Sequence, residues 1–409
     1  MYMVFFYKST HQDLCFDSVF SRLKTGLEAT LSVWYPAAGR LSFSCPHHEG
    51  KLNIWCNNAG ALLVQAVTQA KIPDLGDLSI YNDFFENLVF KPLITDGNIG
   101  EMPLVAAQVT KFDCGGYSIG IGISHSVFDG ISAFDFLRAW ASQCQAPIST
   151  SQLYKPVHER GTLLVDKDSS TATNSVNPTA IDHLYELIRQ AAPDHPNQET
   201  NTLVLRTFHL SSAMIENLRK KFWGEKRDKF SCSSFELLAA HLWKVRTKVL
   251  GAERERKVCL QFAVDTRKRM VPPLPKGFSG NAFVLASLVS TAGELEEWSY
   301  EYIINQIKEA KNSINHHYVD AYMKALQGPP QAATLPLPEL TLISDWTRVP
   351  FHRVDFLGEA AAYASPLLPP IPQVAYFMQN PDDCRAMDVR IGLLPRVQAA
   401  FSHQFINII

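Results

Sequence analysis

Apolar positions along this chain follow two different periods, and the alternation between them predicts a mixed α/β protein. The opening run Tyr2-Met-Val-Phe-Phe-Tyr7 is continuously apolar and reads as a buried strand. A domain seldom starts in mid-core without a polar lead-in, so an upstream segment is expected before it and the N-terminus reads as truncated. Phe16, Phe20, Leu23, Leu27 and Leu31 then recur at helical spacing, which predicts an amphipathic helix over 17–33 that ends at Tyr35-Pro-Ala-Ala-Gly39-Arg40. Strand-like runs follow at 51–56, 61–66, 103–112 and 116–124, the last two joined by the hairpin-type turn Asp113-Cys-Gly-Gly116. Gly130 to Cys144 reads as a helix with Phe134, Leu137 and Trp140 on its buried side.

From 146 to 176 the apolar period disappears under Ser, Thr, Asn, Asp and Pro, the pattern of an exposed crossover. A short helix is expected at 178–191, then strands at 202–210, 256–264, 281–290, 338–344, 371–379 and 387–394. Helices are expected at 211–222 and 233–250, with one long charged helical region at 293–326. Strands and helices mix in both halves without strict alternation. The expectation is therefore an α/β fold of two mixed-sheet domains, 1–176 and 201–409, with a crossover at 177–200 and a site between the domains. The chain shows no internal repeat.

Composition narrows the function classes. A chain of 409 residues is about right for two domains. Its 38 basic residues against 40 acidic ones give no general attraction to nucleic acid or to an anionic membrane, so a small molecule is the expected partner. The eight cysteines are scattered, and the nearest approach to zinc spacing, Cys45 with His47 and His48, lacks a second half; no metal is expected. Dispersed thiols, the absence of an 18-residue apolar run and the absence of a leader make a cytoplasmic location the expectation, with the cytosolic face of the endoplasmic reticulum as a variant. A monomer is the default.

The motifs of several enzyme classes are missing: there is no G-x-S-x-G elbow, Gly-rich phosphate loop ending in Lys-Ser/Thr, or G-x-G-x-x-G opening a helix. What stands out is Ser124-His125-Ser-Val-Phe-Asp129-Gly130, where a Gly-rich apolar strand runs into a helix. Side chains displayed at such a junction are available for chemistry. Histidine titrates near neutrality and suits proton transfer. Asp129 either orients the imidazole or points away and anchors the loop, and the plain alternative is a satisfied histidine with Asp129 capping the next helix. The same spacing recurs at His316 and Asp320 in the polar part of the long helix, where a solvated face accounts for it. Asp265-Thr-Arg267 before a Pro-rich loop ending in Gly280-Asn281 offers a guanidinium able to clamp a carboxylate, or a solvated basic loop. Ser344-Asp345-Trp346 and Asp355-Phe356-Leu-Gly358-Glu359 complete the set, with Trp346 either lining a pocket or packing in the core.

In this order and spacing the segments resemble the plant BAHD acyltransferase family, with its HXXXD motif. The resemblance covers the chain from Tyr2 onward and includes Tyr35-Pro-Ala-Ala-Gly39-Arg40-Leu41, His125/Asp129/Gly130, Asp265/Arg267 with Gly280-Asn281, and Asp355-Phe356. Asp17-Ser-Val-Phe20, Lys51-Leu-Asn-Ile54, Tyr117 to Gly130 and Leu342-Ile-Ser-Asp-Trp346 are similar to the brassinosteroid-related subgroup. The resemblance implies two domains related to chloramphenicol acetyltransferase, a solvent channel between them, and acyl-CoA as co-substrate with no permanently bound cofactor. It implies His125 as general base and Asp129 turned away toward Arg267, with Gly130 and Asp355 in support. Trp346 and Ser344 match residues that steady the oxyanion or contact the acceptor, and Ser233 and Ser234 match contacts to the CoA arm. Two departures stand out. The family's Asp-Phe-Gly-Trp-Gly reads Asp355-Phe-Leu-Gly-Glu359 here, and some tens of residues that normally precede Tyr2 are absent.

The first functional expectation is an O-acyltransferase acting on a hydroxyl of a small apolar metabolite of the brassinosteroid class, in hormone homeostasis. The alternatives are a phenolic, alcohol or amine acceptor, or a catalytically silent member that acts as a binding partner.

Overall fold

The opening apolar run becomes β1 (Tyr2–Tyr7), buried from Met3 to Tyr7. The structure, a computed structural model, describes residues 1–8, 15–42, 52–92, 98–145, 155–160, 203–223, 231–327, 339–356, 358–367, 371 and 373–406. With β4 (Leu62–Thr68), β5 (Val105–Phe112), β6 (Tyr117–Ile123) and β13 (Tyr363–Leu367), β1 forms a five-stranded sheet in the order β13-β1-β6-β5-β4. The β4–β5 pair is parallel and the other pairs are antiparallel, as is the separate two-stranded pair of β2 (Arg40–Ser42) with β3 (Asn53–Trp55). The alternating glycines of β6 have a steric cause. A Cβ on Gly120 would stand 1.9 Å from the carbonyl oxygen of Leu88, and one on Gly122 would stand 2.6 Å from the Tyr2 ring.

Two helices accompany this sheet. α1 (Phe16–Val33) presents Val19, Leu23, Gly26, Leu27 and Thr30 as its buried stripe; of the apolar positions expected there, Leu23 and Leu27 are buried and Phe16, Phe20 and Leu31 half-buried. It packs closely on α2 (Gly130–Gln145): a Cβ on Gly26 would lie 2.6 Å from Cys144 Sγ, and Trp140 Nε1 donates to Leu23 O at 2.8 Å. The buried side of α2 carries Phe136, Leu137 and Trp140. Phe134, expected on that side, is only half-buried and meets Phe351 edge-on at 5.7 Å. A short hairpin of β11 (Asp355–Phe356) and β12 (Glu359–Ala360) turns through Gly358 at φ +92°, a left-handed conformation that suits glycine. Phe356 is fully buried there, with ring centroids 4.9 Å from Trp140 and 6.3 Å from Tyr7.

The second half builds a six-stranded sheet from β7 (Val204–Leu210), β8 (Lys257–Asp265), β9 (Phe283–Thr291), β10 (Leu340–Asp345), β14 (Val374–Gln379) and β15 (Met387–Leu393), in the order β7-β15-β14-β10-β8-β9. β10 runs parallel to both β8 and β14, a mixed arrangement. Its helices are α3 (Ser212–Trp223), α4 (Ser234–Leu250), α5 (Ala292–Glu297), α6 (Tyr300–Ser313), α7 (His316–Gln327) and α8 (Pro395–Ile406). The single helical region expected at 293–326 is therefore three helices. Side-chain caps restart it: Thr291 and Glu294 form a capping box, Ser299 Oγ accepts from Tyr302 N at 3.1 Å, and Asn315 Oδ1 accepts from Tyr318 N at 3.0 Å. α8 and β13 are elements that the sequence patterning did not predict.

The chain divides into two compact units: Met1–Arg160 with Pro275–Asn281 and Val349–Leu368, and Gly161–Leu274 with Ala282–Arg348 and Pro369–Ile409. Two segments that lie late in the chain thus pack in the first unit. The crossover expected at 177–200 and the helix at 178–191 fall outside the described residues. Among the described residues no helix is long and apolar enough to cross a membrane.

Candidate functional site

β6 ends at Ile123, and the next peptide, Ser124 N, is tied to Leu104 O at 2.9 Å. The chain then turns, with Val127 N and Phe128 N both donating to Ser124 O at 3.1 and 3.2 Å. Val127 and Phe128 are buried, Phe128 among Trp34 and Phe136, while His125 and Ser126 are exposed. Burying two apolar residues at the foot of the turn leaves the histidine at its crest. α2 follows at once, and Asp129 Oδ1 accepts from Ser132 N at 2.9 Å. The buried Asp129 thus caps the helix, the role that the plain alternative read from the sequence gives it.

A third strand of chain secures the turn. Val157 N donates to Gly277 O at 2.9 Å and Ser279 N donates to Val157 O at 2.8 Å, which fixes the segment Pro275–Asn281 in the first unit. Ser132 Oγ accepts from Gly280 N and donates to Gly280 O, both at 3.0 Å. Asn281 Nδ2 then donates to the backbone oxygen of His125 at 2.6 Å.

The dense surroundings of His125 hold its imidazole below the ordinary pKa of 6.5, because desolvation disfavours the charged ring. A hydrogen bond to its own backbone, the Asp129 charge and the Asn281 side chain act the other way without cancelling that effect. The result is a neutral ring at neutral pH, which is the form a general base requires.

The other expected residues have definite places. Arg267, its side chain 13% exposed, donates from Nη1 to Asp265 Oδ1 at 2.9 Å within the second unit, and Asp129 belongs to the first. Ser344 and Trp346 stand at the end of β10, where Trp346 Nε1 donates to Ser344 Oγ at 2.9 Å. Neighbouring Asp345 accepts from Thr347 N and Oγ1, yet burial raises its carboxyl above the usual range. Ser233 and Ser234 have local partners. Ser233 Oγ accepts from Glu236 N while Glu236 Oε2 accepts from Ser233 N at 2.9 Å, and Ser234 Oγ accepts from Arg219 Nη2 at 3.2 Å. Asp355 lies in the β11 hairpin, its backbone oxygen accepting from Gln145 Nε2 at 2.7 Å, and its Oδ1 is a buried acceptor. A Cβ on Gly130 would meet nothing within 4 Å, so packing does not demand glycine there. Among the described residues no cluster of three His, Cys, Asp or Glu is fit to hold a metal. His316 and Asp320, the second copy of the spacing, lie on α7, with the His317 ring tilted against that of His316 at a centroid distance of 3.8 Å.

The sequence reading quoted Asn281 and missed its contact with the His125 turn. Residues 156 positions apart carry no local signal of contact.

Known proteins supply the context. The Transferase family model matches residues 1–407. The brassinosteroid-related acyltransferase 1 of Arabidopsis thaliana is 54% identical over 429 aligned residues, covering 100% of this chain and 91% of that protein. The omega-hydroxypalmitate O-feruloyl transferase of Arabidopsis thaliana is 30% identical, covering 94% of this chain and 82% of that protein. Among solved structures, vinorine synthase superposes with a TM-score of 0.74 at 22% identity, covering 100% of this chain and 90% of the other. The F. sporotrichioides protein TRI101, complexed with coenzyme A and T-2, reaches 0.73 at 16%, covering 98% and 92%. The two structural likenesses establish the two-domain α/β fold.

Proposed function

The chain belongs to the Transferase family, as a BAHD acyltransferase of the HXXXD type, and on that premise we propose that it acylates a hydroxyl of a brassinosteroid-class acceptor from acyl-CoA. The acceptor class rests on one observation, the 54% identity to a brassinosteroid-related acyltransferase along the whole chain. The chemistry rests on His125, exposed at the crest of a turn and neutral at neutral pH.

In this reading His125 takes the proton of the acceptor hydroxyl as its oxygen attacks the thioester carbonyl. The C–O bond forms, and the carbonyl electron pair moves onto oxygen. Collapse of the tetrahedral intermediate breaks the C–S bond, and the imidazolium returns its proton to the departing thiolate. The products are the ester and free CoA. A positioned base supplies about 10²–10⁴-fold in rate. Ser344 is the proposed donor for the oxyanion, with Trp346 behind it or against the acceptor. Because Trp346 Nε1 donates into Ser344 Oγ, the serine keeps its own hydrogen for donation, and such chains strengthen the outer bond. Ser233 and Ser234 are proposed contacts for the CoA arm through the first turn of α4, alongside their structural roles. Asp129, Arg267, Gly130 and Asp355 are proposed supports, Asp129 by capping α2 and Arg267 through Asp265.

The test is a panel of acyl-CoAs against brassinosteroids, long-chain alcohols, phenolics and amines, read by thiol release and product mass. Ester formation on a brassinosteroid, faster than on the other acceptors, is the expected outcome. Preference for a long-chain alcohol would favour an acceptor like that named for the feruloyl transferase relative.

A further inference from the structure

The six-stranded sheet of the second unit has a face that its apolar core does not use. Ile343, Ala375, Phe377, Val389 and Ile391 belong to that core, so their neighbours along each strand point to the other side. Strand register sets four polar side chains in one row there: Thr207 opposite Arg390, Arg390 opposite Tyr376, and Tyr376 opposite Ser344. Resting on the reading of Ser344 and Trp346 as site residues, we propose that Tyr376 is a specificity-determining residue whose phenol hydrogen-bonds a second acceptor oxygen, next to the hydroxyl being acylated. The acceptor chemistry it selects is a pair of neighbouring hydroxyls on an apolar frame.

Three observations carry this. Tyr376 adjoins the site residues: its ring meets that of Trp346 edge-on at a centroid distance of 6.2 Å. Trp346 N also donates to Phe377 O at 2.7 Å, which keeps the ends of β10 and β14 side by side. Next, the Tyr376 hydroxyl has no hydrogen-bond partner among the described residues, although the residue is only 8% exposed. Burial alone raises its phenol above the ordinary range, so it stays a neutral donor. Its neighbours are satisfied, since Ser344 Oγ accepts from Trp346 Nε1 and Arg390 Nε donates to Thr207 Oγ1 at 3.1 Å. The buried Tyr7 and Tyr117 and the half-buried Tyr318 each give their hydroxyl to a backbone carbonyl. A largely buried hydroxyl without a partner costs stability, and a ligand oxygen that completes it recovers that cost. The last observation is reach. Side chains on neighbouring strands rise side by side about 4.8 Å apart, and a phenol extends further from the main chain than a serine hydroxyl. Ser344 therefore suits the reacting carbonyl, and Tyr376 suits an oxygen further along, on the side of Trp346.

The test compares wild type with Tyr376→Phe, which removes one oxygen atom and keeps the ring. The acceptors are a brassinosteroid with a vicinal diol and its two analogues that each lack one of those hydroxyls. Binding is titrated for each, and turnover is followed by thiol release from acetyl-CoA. Wild type should favour the diol over one analogue by about 10-fold in Kd and in kcat/KM, and Tyr376→Phe should erase that preference by weakening the diol alone. The KM for acetyl-CoA should stay within about twofold. A phenol without a partner does not support the fold, so the variant should melt no lower than wild type, whereas loss of a structural hydroxyl would lower the melt. No preference in wild type, a preference that survives in Tyr376→Phe, a raised KM for acetyl-CoA or a lower melting temperature would each overturn the proposal. Diol binding that depends on Tyr376 in a protein that releases no thiol would uphold it and sink the transferase reading instead.

Discussion

At the residue scale the account turns on a histidine whose proton affinity is lowered by its surroundings. The working form is the neutral ring, and desolvation by the atoms packed around the turn holds its pKa below 6.5. Protonation removes the base, so kcat/KM should fall toward acid pH with a decline centred below 6.5. A decline centred above 6.5 would contradict the assignment. The sequence alone singled out His125 because a Gly-rich strand ran into a helix start, and the structure shows why that context mattered. Val127 and Phe128 pull the turn inward, and His125 stays at its crest. The two readings of Asp129 could not be separated by spacing, because both use the same i+4 position. Its bond to Ser132 N shows that it caps the helix.

At the element scale, glycine placement and helix caps decide what the apolar period leaves open. β6 was legible as a strand, but nothing local explained its glycines. The backbone of Leu88, the last residue of the short helical turn Asp83–Leu88, occupies the space over Gly120. Gly120→Ala should destabilise the protein by about 3 kcal/mol or more, since a backbone carbonyl cannot step aside as a side chain can. A thermal melt within a degree or two of wild type would refute that. In the second unit, His241 is fully buried on α4 between Tyr300 OH at 2.9 Å and Phe405 O at 3.0 Å, and burial lowers its pKa to about 4. The unfolded chain takes up this proton near pH 6.5 and the folded one near 4, so stability is full above 6.5 and is lost as pH falls toward 4. The loss amounts to at most about 3 kcal/mol. Urea melts between pH 7 and 4.5 should show it, and His241→Gln, weaker at neutral pH, should show a shallower acid slope. An equal slope in the variant would assign the effect to other groups.

At the scale of the whole molecule, strand and helix periods gave the α/β class and the positions of most strands, because a half-buried strand and an amphipathic helix leave period signals in any context. Three features left none. The helical region 292–327 looks continuous in hydropathy, yet Ser299 and Asn315 restart it by bonds that hydropathy does not register. β13 occupies the edge of a sheet whose other members lie 240 or more residues earlier, a pairing that only the folded chain reveals. The return of Pro275–Asn281 and Val349–Leu368 to the first unit is of the same kind, and it brings Asn281 to His125.

The central claim, that His125 is the base of an acyl transfer from CoA, is tested most directly by one comparison. Purified wild type and His125→Ala would be mixed with an acyl-CoA and a brassinosteroid, with thiol release and ester followed in a single turnover. The account predicts acceptor-dependent release in wild type and a loss of about 10²–10⁴-fold in the variant, with acyl-CoA still bound. Equal release from both proteins, or none from wild type while both bind acyl-CoA, would contradict it, the second result pointing to a binding partner that does not turn over.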